Sequence, residues 1–508
     1  MTIPEIHPPD AANQTLIANV HPAGWTNPTP SGRYNLVVVG AGSAGLISAA
    51  IAAGLGAKVA LIERHLLGGD CLNVGCVPSK AVIRASRMVA EARRAAALLG
   101  LPQPNSSEID FGAAMERMRR IRARISAADS AARYRDELGV DIFLGEARFD
   151  GRDSVRVDDQ RLRFRKAVIA TGARPVAPPI EGLAEAGYRS NETIFELTER
   201  PQRLGVIGSG PIGCELAQAF ARLGCEVAIF DVAAQVLPRE DPDAARIIQQ
   251  RLADEGIRLF LGCRLERIQR IGGARRISGT GTDGKSLTVD VDELLVATGR
   301  APNLEGLGLD RAGVEADVRQ GVRVNDHLQT SNRNIFAAGD VCMNWKFTHA
   351  ADAAAKIVVQ NALFLRTAKL SSLVMPWCTY TDPEVAHVGL YEHEARERGI
   401  ATDSYTVPLS ENDRAITDGE EAGFVKILVK QRGDEILGAT LVASHAGEIV
   451  SELTLAIVNK IGLGKLMNVI HPYPTQAEAI KRAAGAYTRS RMTPTLHRLL
   501  TRWMALRR

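Results

Sequence analysis

The chain has 508 residues, too many for one hydrophobic core and enough for about three or four domains. Hydrophobic residues make up 45% and charged residues 24%, the balance of a globular protein, and no apolar run reaches the ~18–20 residues of a membrane span. A formal net charge of +4 is too small at this length to point to nucleic acid. Seven cysteines with one close pair, and no charged-then-apolar start, predict a cytoplasmic protein in a reducing compartment.

Residues 1–32 are rich in Pro, Asn and Thr without periodicity, which predicts a loosely ordered arm. A buried strand, Tyr34–Val39, then runs into Gly40-Ala-Gly42-Ser-Ala-Gly45, followed by a helix to about Leu55. A second strand, Lys58–Ile62, ends in Glu63. This is the dinucleotide fingerprint in its full context. Gly40 makes the tight turn, Gly42 admits a pyrophosphate, Gly45 lets helix and strand approach, and Glu63 accepts from ribose hydroxyls.

Directly downstream, Gly68-Gly-Asp-Cys71-Leu-Asn-Val-Gly-Cys76-Val-Pro-Ser-Lys80 holds two thiols five residues apart. In an ideal helix they would sit slightly too far apart for a disulfide and point to different sides. Gly75 between them lets the backbone tighten into a distorted first helical turn. A strained disulfide at a helix N-terminus is easily reduced, and the resulting thiolate is stabilised there. The segment therefore points to a catalytic redox pair. A zinc site would want a second ligand pair, and Cys214, Cys225, Cys263, Cys342 and Cys378 are scattered singly, so no metal site is expected.

Helical stretches Ala81–Leu99 and Phe111–Leu138 come next, broken by Gly100-Leu-Pro-Gln-Pro104. Their arginines alternate with Glu and Ala, which predicts a solvated surface. Then the fingerprint recurs. Strand Leu204–Ile207 enters Gly208-Ser-Gly210-Pro-Ile-Gly213, a helix runs to about Leu223, and strand Glu226–Phe230 ends in Asp231. In both copies the acid lies 23 residues after the first glycine. With the redox pair beside the first copy, FAD is expected there and a nicotinamide at the second. Asp231, with no cation before Arg239, predicts a preference for NADH over NADPH.

Toward the C-terminus, strands Phe424–Val429 and Ile436–Ala443 alternate with helices Gly447–Lys460 and Thr475–Ala484. The last residues, from Met492, place Leu496, Leu499, Leu500 and Trp503 on one helical stripe, with Thr493 or Thr495 as cap. Arg498, Arg502, Arg507 and Arg508 lie elsewhere on that helix or at its end. The stripe is expected to pack on the protein's own body or a dimer partner rather than to meet anionic lipid as a peripheral membrane contact.

Over residues 33–490 the chain resembles the class I pyridine nucleotide–disulfide oxidoreductases, such as dihydrolipoamide dehydrogenase, glutathione reductase and mercuric reductase. The resemblance rests on the cysteine segment, both glycine loops, Ala170-Thr171-Gly172-Ala-Arg-Pro175 and Ala297-Thr-Gly299-Arg-Ala-Pro-Asn303. Asn334-Ile-Phe-Ala-Ala-Gly-Asp340 and Tyr380-Thr-Asp-Pro-Glu-Val-Ala-His-Val-Gly389 add to it. It implies an α/β fold of two Rossmann-like, doubly wound dinucleotide domains plus an α+β dimerisation domain, assembled as a homodimer. The implied segments are 33–180 and 303–373 for FAD, 181–302 for NAD(P), 374–490 for dimerisation, and 491–508 as a basic amphipathic tail.

The same resemblance assigns roles. Asp340 contacts the flavin ribityl chain, with Thr171, Gly172 and Gly299 in the cofactor motifs. Lys80 and Glu215 form an ion pair beside the reactive ring. Cys76 faces the flavin and Cys71 meets the acceptor. Disulfide-reducing relatives carry a His as general base, supplied by the partner subunit, where this chain has Tyr473 of His471-Pro-Tyr-Pro-Thr-Gln-Ala-Glu478. A phenol with pKa near 10 is a poor base at neutral pH. Tyr473 with Glu478 is most similar to the mercuric-reductase-like branch, although the C-terminal Cys pair and N-terminal Cys-x-x-Cys domain of true mercuric reductases are missing. The acceptor is thus expected to be a metal ion, a thiol or disulfide, or another small electrophile. The alternatives are a dihydrolipoamide-dehydrogenase-like disulfide reductase and a redox sensor that uses the disulfide as a switch.

Overall fold

The computed structural model describes residues 4–102 and 108–508, so part of the expected Gly100–Pro104 break lies outside the described residues. The chain divides into two compact units, residues 1–234 with 255–373, and residues 235–254 with 374–508.

The first unit is organised by two sheets, the first mixed, with two antiparallel strands at one edge, and the second all parallel. Strands β1 (Arg33–Val39) and β2 (Val59–Glu63) flank helix α2 (Ser43–Gly54), preceded by helix α1 (Ala11–Val20). Beyond them come helices α3 (Gly69–Asn73), α4 (Cys76–Leu99) and α5 (Phe111–Ser126). Strands β3 (Asp141–Leu144), β4 (Ala147–Gly151), β5 (Ser154–Val157) and β6 (Gln160–Ile169) complete the sheet in the order β3-β2-β1-β6-β5-β4. Strand Ile335–Ala337 pairs with the end of β6 in parallel. The C-terminal half of β1, Leu36–Val39, is an unbroken apolar run because both its neighbours run parallel and both its faces are covered.

The second sheet repeats the plan with parallel strands Arg258–Leu261, Glu226–Asp231, Arg203–Ile207 and Glu293–Val296 in that order. Its helix Pro211–Arg222 packs against α4.

The second unit is a five-stranded antiparallel sheet, ordered Pro376–Thr379, Glu384–Gly389, Ile436–Ala443, Phe424–Lys430, Thr402–Pro408. Helices Ala446–Val458 and Glu478–Ser490 cover it over a core that includes Val425, Leu441, Leu453 and Ile480. Residues 235–254, inside the segment expected to bind nicotinamide, group with this unit.

Several expectations need correction. The N-terminal arm is ordered: α1 buries Leu16 and Val20, and Asp10 caps it by accepting from the Asn13 amide at 2.8 Å. The arginines of α5 are not all solvated, since Arg119 pairs with Asp10 and Arg122 is only 4% exposed. Both lie on the face that α1 covers, which the alternation with Glu and Ala disguised. The expected Phe111–Leu138 helix also stops at Ser126; after a short turn, Ser130 caps a separate helix, Ala131–Asp136. Likewise the expected Thr475–Ala484 helix starts only at Glu478.

Candidate active site

The two redox cysteines sit on different helices, Cys71 within α3 and Cys76 at the start of α4. Gly75 makes the break. A Cβ there would stand 2.7 Å from the Asp70 carbonyl oxygen and 3.4 Å from the Cys71 Cα, so only glycine lets the chain fold back this closely. Both cysteines are free thiols and hydrogen-bond each other, Cys71 half-buried and Cys76 exposed. That bond polarises the pair. It pulls the Cys76 thiol down to about 6, with help from the Lys80 charge, and pushes Cys71 up as the proton donor. The Thr348 hydroxyl lies 3.6 Å from Cys76 Sγ. No motif pointed to Thr348, which opens helix Thr348–Leu363, more than 250 residues downstream.

Lys80 lies one turn into α4, and its Nζ donates to Glu215 Oε2 at 2.7 Å. Glu215 comes from helix Pro211–Arg222, so packing of the two helices forms the expected ion pair.

The two glycine loops are built alike. Gly40 and Gly208 adopt φ of +99° and +104°, and a Cβ on either would meet the carbonyl of Ala170 at 2.4 Å or Ala297 at 2.5 Å. A Cβ on Gly45 or Gly213 would fall 1.8 or 1.9 Å from the carbonyl oxygen of Gly40 or Gly208. The strand-end acids brace the loops. Glu63 accepts from the amides of Ala41 at 2.7 Å and His65 at 2.8 Å. Asp231 accepts from those of Ser209 at 2.6 Å and Ala233 at 2.8 Å, and from the Ser209 hydroxyl at 2.7 Å. Burial raises the Glu63 carboxyl, against the pull of its amide donors.

The middle glycines stay open. A Cβ on Gly42 would meet only the Gly69 Cα at 3.8 Å, and one on Gly210 nothing within 4 Å. With helix N-terminal amides beside them, these open backbone faces fit dinucleotide phosphates. Thr171 is committed to structure, its hydroxyl donating to the Asn303 carbonyl at 2.8 Å while Asn303 Nδ2 returns a bond to the Thr171 carbonyl at 2.9 Å. Gly172 and Gly299 flank the antiparallel pair Ala173–Pro175 and Arg300–Pro302.

Arg300 ties the motifs together. It pairs with Asp70 beside Cys71, lies 3.5 Å from Asp340, and donates to the Ala173 carbonyl at 2.6 Å. Asp340 is half-buried, and burial raises its carboxyl above the usual range. A second brace comes from the arm. Arg122 donates to the Asn73 carbonyl at 2.6 Å, between the two cysteines, and to Asn13 Oδ1 of α1 at 2.7 Å. Sequence inspection singled out neither arginine in these roles.

The remaining expected residues lie in the second unit. Tyr473 is 71% exposed, and its hydroxyl donates to Asp413 Oδ2 at 2.9 Å. That bond raises the phenol further from neutrality. Glu478 heads the helix Glu478–Ser490 and reaches Arg482 at 3.6 Å. His471 is held by Glu452, Nε2 to Oε2 3.1 Å.

A family model described as pyridine nucleotide-disulphide oxidoreductase matches residues 34–355, and one for the family's dimerisation domain matches residues 375–484. A mercuric reductase of Lysinibacillus sphaericus is 35% identical over 451 residues, 89% of this chain and 82% of that protein. A dihydrolipoyl dehydrogenase of Chlamydia muridarum is 31% identical over 460 residues, 89% of this chain and 96% of that protein. Among solved structures, the Cu(II) complex of the HOCl-induced flavoprotein disulfide reductase RclA from Escherichia coli superposes with a TM-score of 0.79. It is 28% identical, covering 90% of this chain and 100% of that one.

Proposed function

This chain belongs to the pyridine nucleotide–disulphide oxidoreductases, FAD-dependent enzymes that use NAD(P)H, and we propose that it carries two electrons from NADH to the Cys71–Cys76 pair and on to a metal ion or small electrophile. Bound FAD supplies two-electron exchange between nicotinamide and thiols. The segments 33–180 and 303–373 are assigned to FAD, with Gly40, Gly42, Gly45, Glu63 and Asp340 as its contacts. Segment 181–302 takes the nicotinamide through Gly208, Gly210, Gly213 and Asp231. The Asp231 carboxylate accepts from a ribose 2′-hydroxyl and repels a 2′-phosphate, which favours NADH. The Lys80–Glu215 pair sets the charge beside Cys76.

The acidity split between the thiols supports their roles. Cys76, low in pKa, is the resident thiolate, and Cys71 keeps its proton until the acceptor arrives. Oxidising this thiol–thiolate pair forms one S–S bond and releases two electrons and the single proton held on Cys71. One Hg(II) ion takes both electrons, and two Cu(II) ions take one each, without needing a proton. A disulfide substrate needs a proton for each leaving thiol.

The observation that carries the choice of acceptor is Tyr473, bonded to Asp413 where disulfide-reducing relatives place a histidine. The nearby His471 is tied to Glu452. Similarity to mercuric reductases, and to a flavoprotein reductase solved as a Cu(II) complex, points the same way. Cytoplasmic location suits an enzyme whose described cysteines are all free thiols. The test is steady-state turnover of the purified homodimer with NADH or NADPH against Hg(II), Cu(II), quinones, glutathione disulfide and lipoamide. The expected result is NADH-driven metal or electrophile reduction, with both disulfides poorer by roughly 10²–10⁴-fold, the usual worth of a positioned acid–base group. Disulfide reduction as fast as the best metal turnover would overturn the acceptor assignment.

A further inference from the structure

The C-terminal helix, Pro494–Ala505, lies beyond residue 484, where the match to the family's dimerisation domain ends. It is well formed: Thr493 caps it by accepting from the Leu496 amide at 3.2 Å, and Pro494 occupies the first turn. None of its residues is buried. The expected apolar stripe is therefore exposed, with Leu499 at 58% and Trp503 at 52%, and Leu496, Leu500 and Met504 beside them. Of the two covers expected for it, the protein's own body and a dimer partner, the first does not hold.

Its charge is one-sided. Residues 491–508 carry Arg491, Arg498, Arg502, Arg507 and Arg508 and no Asp or Glu, while the whole chain has a formal net charge of +4. All of the chain's positive excess resides in this last segment. Arg498 and Arg502 lie off the apolar stripe, and the Arg507 guanidinium stacks on the Trp503 ring at 4.6 Å. An apolar stripe of Leu and Trp, flanked by arginines and free of acids, has the two features of a helix that lies in a membrane interface. The side chains bury among acyl chains, and the guanidinium groups meet lipid phosphates.

We propose that this helix binds the surface of an anionic lipid bilayer and holds the enzyme there as a peripheral protein. Among the described residues no helix is long and apolar enough to cross a membrane, so the attachment is interfacial. A homodimer carries two such helices, which raises the avidity of an otherwise modest anchor. A second copy of the chain is the other conceivable cover for the stripe. Pairing two of these helices face to face, however, would crowd like charges with no carboxylate in either.

The experiment is flotation of the full-length FAD-loaded homodimer with phosphatidylglycerol-containing vesicles and with pure phosphatidylcholine vesicles, at low and high salt. The protein is expected to float with the anionic vesicles at low salt and to be released by high salt. Leu499→Glu with Trp503→Glu is expected to abolish flotation, and Arg498→Gln with Arg502→Gln to weaken partitioning roughly fivefold per arginine. Flavin content, NADH oxidation and sedimentation as a dimer are expected to stay unchanged in each variant. Failure to float, equal flotation on phosphatidylcholine, or flotation that survives the Glu substitutions would overturn the proposal. Dissociation of the dimer by Leu499→Glu would overturn it too, because the stripe would then be a subunit contact.

Discussion

The two glycine loops of the first unit are near copies in local geometry and differ in what stands against them. In each, the first glycine takes a left-handed turn under a carbonyl, and the third lets the helix press onto the loop. In each, a strand-end acid collects the amide just after the first glycine. The contrast begins at the middle glycine. Gly69 lies over Gly42 so closely that a Cβ on Gly69 would come within 2.6 Å of the Gly42 Cα, whereas Gly210 faces open space. At this glycine the first loop and the redox segment are thus in close contact, whereas the second loop meets nothing within 4 Å. Near-identical turns are therefore proposed to serve different cofactors, with the neighbouring segment making the difference.

The largest effect expected from breaking this parallel comes from the third glycines. Gly45→Ala is expected to leave the protein without FAD, measured as loss of flavin absorbance after purification. Gly213→Ala is expected to keep FAD and lose reduction by NADH in stopped-flow. Loss of flavin from both variants would show that the loops are not independent.

The redox segment is tested next. Reduction of the FAD-loaded protein is expected to produce a long-wavelength absorption from the Cys76 thiolate, which Cys76→Ser abolishes and Cys71→Ser shows without reductant. Because the Cys76 thiol sits near 6, the thiolate is present above that pH and the band fades as pH falls through it. In Cys71→Ser the strongest acidifying bond is replaced, so the midpoint is expected to move upward. A band that tracks Cys71 instead would reverse the roles.

Smaller changes probe the second strand-end acid and the tyrosine proposed for the acceptor side. Asp231→Ser is expected to narrow the proposed preference for NADH over NADPH by about tenfold, since a like-charge clash with the 2′-phosphate is removed. An unchanged ratio would place the selectivity elsewhere. Tyr473→Phe is expected to slow metal turnover several-fold, on the order of one lost hydrogen bond, with flavin reduction by NADH untouched. Equal loss in both half-reactions would mean a general structural effect.

The smallest expected effect concerns the brace under the redox segment. Arg122→Leu leaves the Asn73 carbonyl and Asn13 Oδ1 without this donor, a cost of about 1–3 kcal/mol. A lower melting temperature together with an upward shift of the Cys76 midpoint would show that the arm tunes the thiol pair. A fall in melting temperature alone would confine Arg122 to stability.

Much of the fold was legible before any coordinates, because its signals are local. Strand runs such as Tyr34–Val39, the glycine spacing and an acid 23 residues on are read within one supersecondary unit, and backbone sterics allow few other solutions. The Cys71–Cys76 spacing likewise announced a redox pair. Lys80 and Glu215 were paired only through family resemblance, since they are 135 residues apart.

What sequence alone left open involves partners brought together by the fold. Arg300 bridges Asp70, 230 residues away, and Asp340, and no local pattern distinguishes it from any other arginine on a short strand. Arg119 and Arg122 look like solvated helix charges until α1 covers their face. The N-terminal arm seemed shapeless because Leu16 and Val20, two of its scattered apolar residues, gain burial only once the chain is folded. The C-terminal helix shows the reverse case, for its amphipathic stripe was plain in the sequence, but only the tertiary structure revealed that the rest of the chain leaves it uncovered. Backbone geometry is settled by a residue and its near neighbours, whereas burial and ion pairing depend on which distant surfaces meet. The first was therefore written in the sequence, and the second was decided by the packed structure.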